Sequence, residues 1–335
     1  MKNHRNTLTW LLLIGCLVLI TLACASTGNS GRPEIEGLAE TVQVEDALVV
    51  DGVAQVGQIQ VWPQDGMEMV QVLEGQFLMG GRADEERSID WEKPLHVVHV
   101  DTYWIDRTEV SNAMFAVFVA ATGHVTDAEK LDMGYVSNGQ GRTETAGAYW
   151  LHPMGPDSSI AGLENHPVMM VSWNDAAAYC AWAGRRLPTE AEWEKAARGI
   201  DGRFYPWGEE FDSSLVNADD EELLDEYSVE CSPAGCDGFD VTSPVGSFVG
   251  GASPYGVLDM AGNLWEWAAD YYDDAYFSVS PAENPMGPAT GERRVLRGGS
   301  WLNNTYDMRT TYRYGQKPDY RSDKLGFRCA VSEAP

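Results

Sequence analysis

Basic residues are scarce in this chain. Its 335 residues include 23 lysines and arginines against 51 aspartates and glutamates, so the formal net charge is −28. A surface of that sign repels the phosphates of DNA and RNA, which argues against a nucleic-acid partner. Two explanations of the acidity have equal weight at this point, namely solubility and the binding of cations.

Long apolar runs are also few. The main one is Leu8–Leu22, which follows the basic residues Lys2 and Arg5 and is too short for a comfortable membrane span. A short apolar run behind basic residues is typical of an export signal, so we expect residues 1–23 to be a targeting segment. No later stretch of the sequence is long and apolar enough to cross a membrane.

The end of this segment, Ile20-Thr21-Leu22-Ala23-Cys24, resembles a bacterial lipoprotein signal, in which the cysteine thiol receives diacylglycerol. Ordinary cleavage after Ala25 is the alternative, since the residues on both sides of Cys24 are small. We expect lipidation at Cys24 and an exported cell-envelope lipoprotein that its lipid holds at a membrane, facing the extracytoplasmic side.

The composition predicts a tether over residues 24–65 and a folded body over residues 66–335. The tether contains Gly, Pro, Ser, Glu and Val without a helical period. Its Val-rich part, Val42–Val61, is the stretch that could add a strand to the body.

Three helices are predicted in the body. Thr108–Gly123 has a one-sided apolar pattern, Asn174 is placed to cap a second helix, and Thr189 begins a third. Glu192 stands three residues after Thr189, the spacing of a capping box. Short apolar runs such as Leu95–Val100 favour strands joined by long loops, and His96 and His99 within that run are read as strand positions rather than metal ligands.

Cysteines are few as well. Beyond Cys24 four cysteines remain after the signal, and an even number in an oxidising compartment suggests two disulfides with three pairings open. In one of them Cys231 and Cys236 close a small ring across Ser-Pro-Ala-Gly, which leaves Cys180 with Cys329. A zinc half-site at Cys231 and Cys236 is the competing interpretation, but the sequence holds no second pair to complete it.

Two stretches concentrate oxygen donors in loops. The first combines residues 217–220 with residues 237–239, and the second is DMAGNLWE over residues 259–266. Calcium takes six to eight oxygens from carboxylates, amides and backbone carbonyls. Solvated acidic loops have the same composition, so spacing alone indicates a calcium site only weakly.

Several longer motifs are similar to the formylglycine-generating enzymes, also called sulfatase-modifying factors, and they follow the order of that family. They cover nearly everything between Met67 and Val331: VLEGQFLMGG from Val72, DTYWIDRTEVSNAMF from Asp101, AYWLHPMGPDSS from Ala148, HPVMMVSWNDAAAYCAWAG from His166, GRRLPTEAEWEKAARG from Gly184, YGVLDMAGNLWEW from Tyr255, RGGSW from Arg297 and LGFRC from Leu325. The resemblance implies a single α+β domain, related to C-type lectins, with little regular secondary structure.

The resemblance also implies a disulfide and two structural calcium sites. The disulfide would join Cys180 to Cys329. The first calcium site would use Asn217, Ala218, Asp237 and Phe239, its halves separated by an acidic insertion. The second would use Asp259, Gly262, Leu264 and Glu266, with Asp259 in place of the family's usual asparagine.

One departure from the family concerns its chemistry. Members bind copper through two cysteines five positions apart, because thiolates suit Cu(I), and the copper activates oxygen to oxidise a substrate cysteine. The matching positions here are Asn303 and Met308, and no cysteine occurs between Cys236 and Cys329. We therefore expect no catalytic cysteine, no copper and no formylglycine-generating reaction by that mechanism.

The predicted function is a calcium-stabilised binding module that reuses the family's substrate groove for an exported protein, a peptide or a small anionic ligand. The candidate groove residues are Trp265, Ser300, Trp301, Asn303, Met308, Arg309 and Arg313. Packing of the tryptophans and pairing of the arginines with acids are the competing interpretations. The alternative function is a metal-dependent oxidoreductase or maturation factor that modifies exported proteins such as sulfatases.

Overall fold

The computed structural model describes residues 57–82, 87–137, 141–218 and 237–332. All of them fall within one compact unit that spans residues 51–335. The predicted signal segment, Cys24, most of the predicted tether, Cys231 and Cys236 lie outside the described residues. In the described part of the chain, no helix has the length and apolar character needed to cross a membrane.

Four α-helices occur in the described ranges: α1 Asn112–Thr122, α2 Asp127–Leu131, α3 Trp173–Trp182 and α4 Glu190–Arg198. The first begins later than predicted, because the hydroxyl of Ser111 accepts the backbone N–H of Met114 at 3.3 Å and caps the helix there. It ends at Gly123, which adopts the left-handed conformation typical of a helix C-terminus.

The predicted cap of α3 is wrong. Ser172 caps this helix in place of Asn174, with its hydroxyl accepting from the N–H of Asp175 at 3.1 Å. The carboxylate of Asp175 returns a bond to the N–H of Ser172 at 3.0 Å, which completes a capping box. Asn174 lies inside the first turn and donates to the carboxylate of Asp127 at 2.9 Å.

Helix α4 has the predicted capping box and an unexpected environment. Thr189 accepts from the N–H of Glu192 at 3.1 Å, and Glu192 accepts from the N–H of Thr189 at 2.7 Å. All nine helical residues are buried, although five of them are charged. Each buried charge must find a partner: Lys195, for example, donates to the carbonyl oxygens of Leu73 and Gly75 at 2.7 and 2.9 Å.

Twelve strands occur in the described ranges: β1 Ile59–Val61, β2 Glu68–Val72, β3 Gly75–Met79, β4 His96–Val100, β5 Tyr103–Asp106, β6 Met133–Ser137, β7 Arg142–Ala146, β8 Trp265–Tyr271, β9 Arg294–Arg297, β10 Arg313–Gln316, β11 Leu325–Gly326 and β12 Ala330–Val331. They form one four-stranded sheet in the order β1-β2-β5-β12, a second in the order β10-β9-β8-β11, and the hairpins β3-β4 and β6-β7. His96 and His99 lie on β4, as the strand interpretation expects.

The folded body begins earlier than the predicted boundary between residues 65 and 66. Strand β1 pairs antiparallel with β2, and the indole N–H of Trp62 donates to the carbonyl of Ala183 at 2.5 Å. The buried carboxylate of Asp65 accepts from the hydroxyl of Tyr179 at 2.7 Å and forms an ion pair with Arg185. Residues 57–65 are therefore part of the domain.

The core contains the predicted disulfide. Cys180 on α3 is bonded to Cys329, 149 positions further along the chain, and both residues are fully buried. Phe115, Tyr179 and Phe327 surround the bond as part of one apolar cluster. The bridge thus fixes the C-terminal end of the chain to a helix in the middle of the sequence.

Candidate functional site

A groove with a volume of about 240 Å³ opens beside the start of β8 and along β10. Aromatic and polar side chains share its wall, together with two cationic ones. The lining residues are Arg142, Trp265, Leu296, Asn303, Asp307, Tyr312, Tyr314, Gln316, Tyr320, Ser322, Lys324 and Leu325.

Asn303 is held firmly at one end of this groove. Its amide oxygen accepts the indole N–H of Trp265 at 2.8 Å and the hydroxyl of Ser300 at 2.5 Å. Its amide nitrogen donates to the carboxylate of Asp307 at 2.5 Å. Three neighbours therefore occupy both acceptor positions and one of the two donors of this side chain, which the resemblance matches to a copper-binding position.

Two neighbouring groove residues, Asp307 and Tyr312, have raised pKa values. Burial raises the pKa of Asp307 above its ordinary value, although hydrogen bonds from Asn303 and Tyr312 oppose the shift. Burial, and next the Asp307 carboxylate, raise the pKa of the Tyr312 hydroxyl. The Tyr312 hydroxyl therefore stays protonated and donates its hydrogen bond to Asp307.

Aromatic rings form the walls. The ring centroid of Trp265 lies 5.8 Å from that of Tyr312 and 6.3 Å from that of Tyr314. Tyr314 is 45% exposed although it is a large aromatic residue. On the other side Tyr320 stacks against Tyr135 at 4.7 Å. Such faces bury apolar surface of a ligand while their hydroxyl groups remain available.

Two cations line the groove without an ion-pair partner among the described residues. Arg142 donates to the hydroxyl of Tyr320 at 3.0 Å and lies over that ring at 5.0 Å from its centroid. Lys324 forms no ion pair with any described carboxylate. In a chain of net charge −28, two unpaired cations at one groove favour an anionic ligand.

Several predicted groove residues do not line it. Arg309 is buried and donates to both carboxylate oxygens of Glu92, and Arg313 does the same with Glu190. Met308 is fully buried in a cluster with Phe204 and other apolar residues. Our expectation that these three face the groove is wrong, because long-range partners withdraw them into the core.

Ser300 and Trp301 lie near the groove but do not line it. Ser300 is fully buried and acts on it only through its bond to Asn303. The indole N–H of Trp301 donates to the carbonyl of Asp323 at 3.0 Å. Of the seven predicted groove residues, Trp265 and Asn303 are the two that form its lining.

The first predicted calcium set comes together in space. The N–H of Ala218 donates to one carboxylate oxygen of Asp237 at 3.0 Å, and the N–H of Phe239 donates to the other at 2.9 Å. The amide oxygen of Asn217 is buried and has no hydrogen-bond partner in the described ranges. A buried acceptor without a partner, next to a residue that bonds a carboxylate, is compatible with a cation ligand.

The second predicted set lies in a cluster of buried acids. Glu266 accepts from Arg328 through both carboxylate oxygens at 2.6 Å, and from the indole of Trp193 at 2.8 Å. Asp259 adopts a left-handed backbone with φ of 56° and accepts the N–H of Gly246 at 2.6 Å.

Glu109, which we did not predict, joins this cluster. It is fully buried, and one of its oxygens has no partner among the described residues. Burial first, and then the carboxylates of Asp259 and Glu266, raise the pKa of Glu109 well above its ordinary value. Burial likewise raises the pKa of Asp259 to about 6. These three buried acids face the single guanidinium of Arg328, and a cation bound here would favour their ionised forms.

The donor chemistry of both sets suits calcium better than a transition metal. No group of three or more carboxylate, imidazole or thiolate side chains in the described ranges converges on one metal position. Backbone carbonyls and an amide would therefore supply most ligands, which calcium tolerates and copper or zinc does not favour. In the second set these would be the carbonyls of Gly262 and Leu264 with the side chain of Asp259.

Sequence reasoning missed several residues of both regions. In the groove, Tyr312, directly before β10, and Tyr314 on β10 stand two positions apart, a period-two signal that was available in the sequence. Arg142 comes from the distant hairpin β6-β7, and no local pattern marks it. The same holds for Glu109, whose neighbours Asp259 and Glu266 are more than a hundred residues away.

Comparison with known proteins agrees with this architecture. The profile of the sulfatase-modifying factor enzyme 1-like domain matches residues 56–333. A formylglycine-generating enzyme from Streptomyces coelicolor is 40% identical over 291 residues, covering 80% of this chain and 90% of its own length. A mouse protein called an inactive Cα-formylglycine-generating enzyme 2 is 38% identical over 286 residues, covering 79% of this chain and 85% of its own.

Solved structures are similar over the same region. PvdO from Pseudomonas aeruginosa has a TM-score of 0.63 and 28% identity, covering 83% of this chain and 98% of its own. The Treponema denticola variable protein 1, at 21% identity and a TM-score of 0.56, shares the fold. Since the profile spans most of the sequence and the described elements match, the chain belongs to the sulfatase-modifying factor family, with a mixed helix-and-strand fold in a single domain.

Proposed function

We propose that this protein is a member of the family that has exchanged the copper-dependent oxidase reaction for ligand binding in a calcium-stabilised domain. The observation that carries the proposal is the state of Asn303. Its amide is committed to Trp265, Ser300 and Asp307, and the other copper position, Met308, is buried away from the groove. A carboxamide and a buried thioether do not replace a thiolate pair for Cu(I).

The ligand class follows from the groove wall. The exposed ring of Tyr314 and the half-buried ring of Tyr320 offer apolar contact. Arg142 and Lys324, which form no ion pair with a described carboxylate, attract carboxylate or phosphate groups. A peptide with acidic side chains, or a small organic anion, meets both requirements. The mouse relative called inactive shows that non-catalytic proteins occur at this level of similarity.

Two further parts of the proposal concern cofactor and location. Calcium would be held by Asn217, Ala218, Asp237 and Phe239 in one site and by Asp259, Gly262 and Leu264 in the other. The prediction that Glu266 is a ligand is not supported, because both of its carboxylate oxygens accept from Arg328. The role of calcium is structural, since it would fix loops that carry buried acids. The protein would reach the cell envelope through its signal segment and be anchored by lipid at Cys24. Changing Cys24 to Ser should abolish labelling by a fatty-acid analogue.

The first experiment tests the loss of oxidase chemistry. The full chain is loaded with Cu(I) and mixed with oxygen and a cysteine-containing peptide, with the Streptomyces coelicolor relative as the positive control. The proposal expects no stoichiometric copper, no oxygen uptake and no aldehyde product. Bound copper together with formylglycine would overturn it and favour the oxidoreductase alternative.

The second experiment tests the groove. Amide-capped tri-glutamate is titrated while tryptophan fluorescence is followed, because Trp265 lines the site. We expect saturable binding that Lys324→Ala weakens by about tenfold or more, the usual size of a charge-assisted contact. Lys317→Ala is the matched control, since Lys317 is exposed and does not line the groove. Equal effects of the two substitutions, or no binding of tri-glutamate, would contradict the proposal.

A further inference from the structure

The two calcium sets are joined by one asparagine that belongs to neither. Asn263 accepts the amide N–H of Asn217 at 3.3 Å through its side-chain oxygen, and the same oxygen accepts the N–H of Ser243 at 3.0 Å. Its side-chain nitrogen donates to Glu109 at 3.0 Å. Asn263 is 2% exposed, so water does not compete for these bonds.

The hydrogen bonds of Asn263 fix the orientation of the Asn217 amide at one end and of the Glu109 carboxylate at the other. Because the side-chain nitrogen of Asn217 is turned to Asn263 and to the carbonyl of Val241, its oxygen must point the other way. That oxygen is the buried, unpartnered atom of the first set. At the opposite end, Asn263 occupies one oxygen of Glu109 and leaves the other unpartnered, within electrostatic reach of Asp259 in the second set.

The backbones of the two sets also touch. Gly262, a member of the second set, adopts φ of 70°, and a Cβ atom built on it would lie 2.1 Å from the carbonyl oxygen of Asn217. The next residue, Asn263, donates its own N–H to that same carbonyl at 3.0 Å. A shift of either loop must therefore move the other.

We propose, resting on the proposed function, that the two calcium sites bind with positive cooperativity through the relay Asn217–Asn263–Glu109. A cation on the oxygen of Asn217 withdraws electron density from that amide and strengthens its N–H as a donor. Hydrogen bonds in a chain polarise one another, so the bond from Asn263 to Glu109 strengthens as well. Glu109 is thereby held with its free oxygen towards the second set.

Linkage requires the effect to be reciprocal, because a coupling free energy belongs to both sites. A cation at the second set fixes Glu109, which fixes the amide of Asn263 and keeps the oxygen of Asn217 directed at the first. Occupation of either site is expected to tighten the other by about fivefold or more, the lower end of measured allosteric couplings.

A double-mutant cycle measures this coupling in the full chain. Calcium is titrated calorimetrically into chelator-stripped protein of four kinds: wild type, Asp237→Ala, Asn263→Gly and the combination. Asp237→Ala disables the first set, and glycine at position 263 keeps the positive φ of 59° that Asn263 adopts. Asn284→Gly is the matched control, since Asn284 also has a positive φ and its side chain bonds to Asp101, away from both calcium sets.

The expected result is that Asp237→Ala weakens calcium at the second set by about fivefold or more in the wild-type background and has no such effect beside Asn263→Gly. Asn284→Gly should leave the coupling intact. Should Asn263→Gly fail to fold, Glu109→Gln provides the second background, because a carboxamide has a single acceptor oxygen and cannot both accept from Asn263 and offer an oxygen to the second set.

The outcomes separate two failures. Wild-type protein that binds two calcium ions with independent affinities, unaffected by Asp237→Ala at the remaining site, would overturn the relay and leave the proposed function standing. Wild-type protein that binds no calcium would overturn the calcium assignment of the proposed function and the relay with it.

Discussion

The guanidinium of Arg309 donates two hydrogen bonds to the carboxylate of Glu92, at 2.9 and 2.7 Å, across 217 positions of sequence. Both side chains are almost completely buried, and the hydroxyl of Thr311 donates a third bond to the same carboxylate at 2.7 Å. The pair joins a segment near the start of the domain to the segment that carries the groove.

Breaking this pair should destabilise the domain strongly. Glu92→Gln leaves the charge of Arg309 buried and uncompensated, and losing one partner of a buried pair costs about 3–5 kcal/mol of the free energy of unfolding. Urea denaturation measures it. The control is Asp90→Asn, whose side chain is 99% exposed and which should change stability by less than about 1 kcal/mol. Similar losses in both variants would contradict a structural role for the pair.

Helix starts could be predicted from the sequence where the capping residues lie within one turn of each other. The box of Thr189 and Glu192 starts α4 as expected, because both partners lie within one turn. The cap of α3 was mistaken although its signal is equally local. Ser172 and Asp175 have the same spacing as Thr189 and Glu192. Asn174, two positions after Ser172, is also a residue type that caps helices well, so the sequence offered two candidates.

The groove was predictable only in part, for a different reason. Trp265 and Asn303 follow from their motifs, whereas Arg309 and Arg313 looked like ligand-binding cations. Their partners, Glu92 and Glu190, lie 217 and 123 positions away, and no periodicity connects them. Which arginines remain unpaired, as Arg142 does, depends on the finished fold.

The disulfide is expected to be a major contribution to stability. By the chain-entropy model, closing the 149-residue separation of Cys180 and Cys329 stabilises the fold by about 5 kcal/mol. The double substitution Cys180→Ala and Cys329→Ala should lower the urea midpoint accordingly. Reductant should then lower the midpoint of the wild type far more than that of the double variant. An equal response would mean that the sensitivity belongs to other cysteines.

Stability should fall as pH rises through the range in which Asp270 ionises. Burial, and next the charge of Glu190, raise the pKa of Asp270 from 3.8 to about 8. The folded state therefore binds a proton that the unfolded state has lost between about pH 4 and pH 8. The stabilisation is complete below pH 4 and disappears as pH rises through 8.

Asp270→Asn keeps an oxygen that can accept the N–H of Glu190, a bond of 2.8 Å in the wild type, and cannot ionise. We expect it to flatten the pH dependence of unfolding between pH 5 and pH 9. Asp319→Asn serves as the control, since Asp319 is exposed. If the Asp270 variant keeps the wild-type slope, another group is responsible.

Removal of calcium should lower the melting temperature by several degrees, because a ligand bound only to the folded state stabilises it by mass action. Chelation followed by calorimetry checks this, with magnesium and then calcium added back. Calcium, but not magnesium, is expected to restore the melting temperature fully. In Asp259→Ala, chelation should have a smaller effect, since the second site loses its side-chain oxygen ligand. If chelation leaves the melting temperature of the wild type unchanged, calcium does not stabilise the domain.

The two former copper positions should differ in accessibility. A thiol introduced by Asn303→Cys lies at the half-buried groove wall and should react with a thiol reagent in the native state. One introduced by Met308→Cys should react only after unfolding, because Met308 is fully buried. Reaction is counted relative to wild type. Equal native reactivity would show that the two positions share one open site.

Strand β12 is the last strand of the described chain, and it is an edge of the sheet β1-β2-β5-β12. Its neighbour Cys329 donates its N–H to the carboxylate of Asp106 at 2.8 Å, 223 positions earlier. A ribosome delivers β12 after the other eleven described strands, so the sheet β1-β2-β5-β12 stays incomplete until residues 330–331 have been synthesised. Loss of β12 would therefore harm the domain more than a cut in an exposed loop.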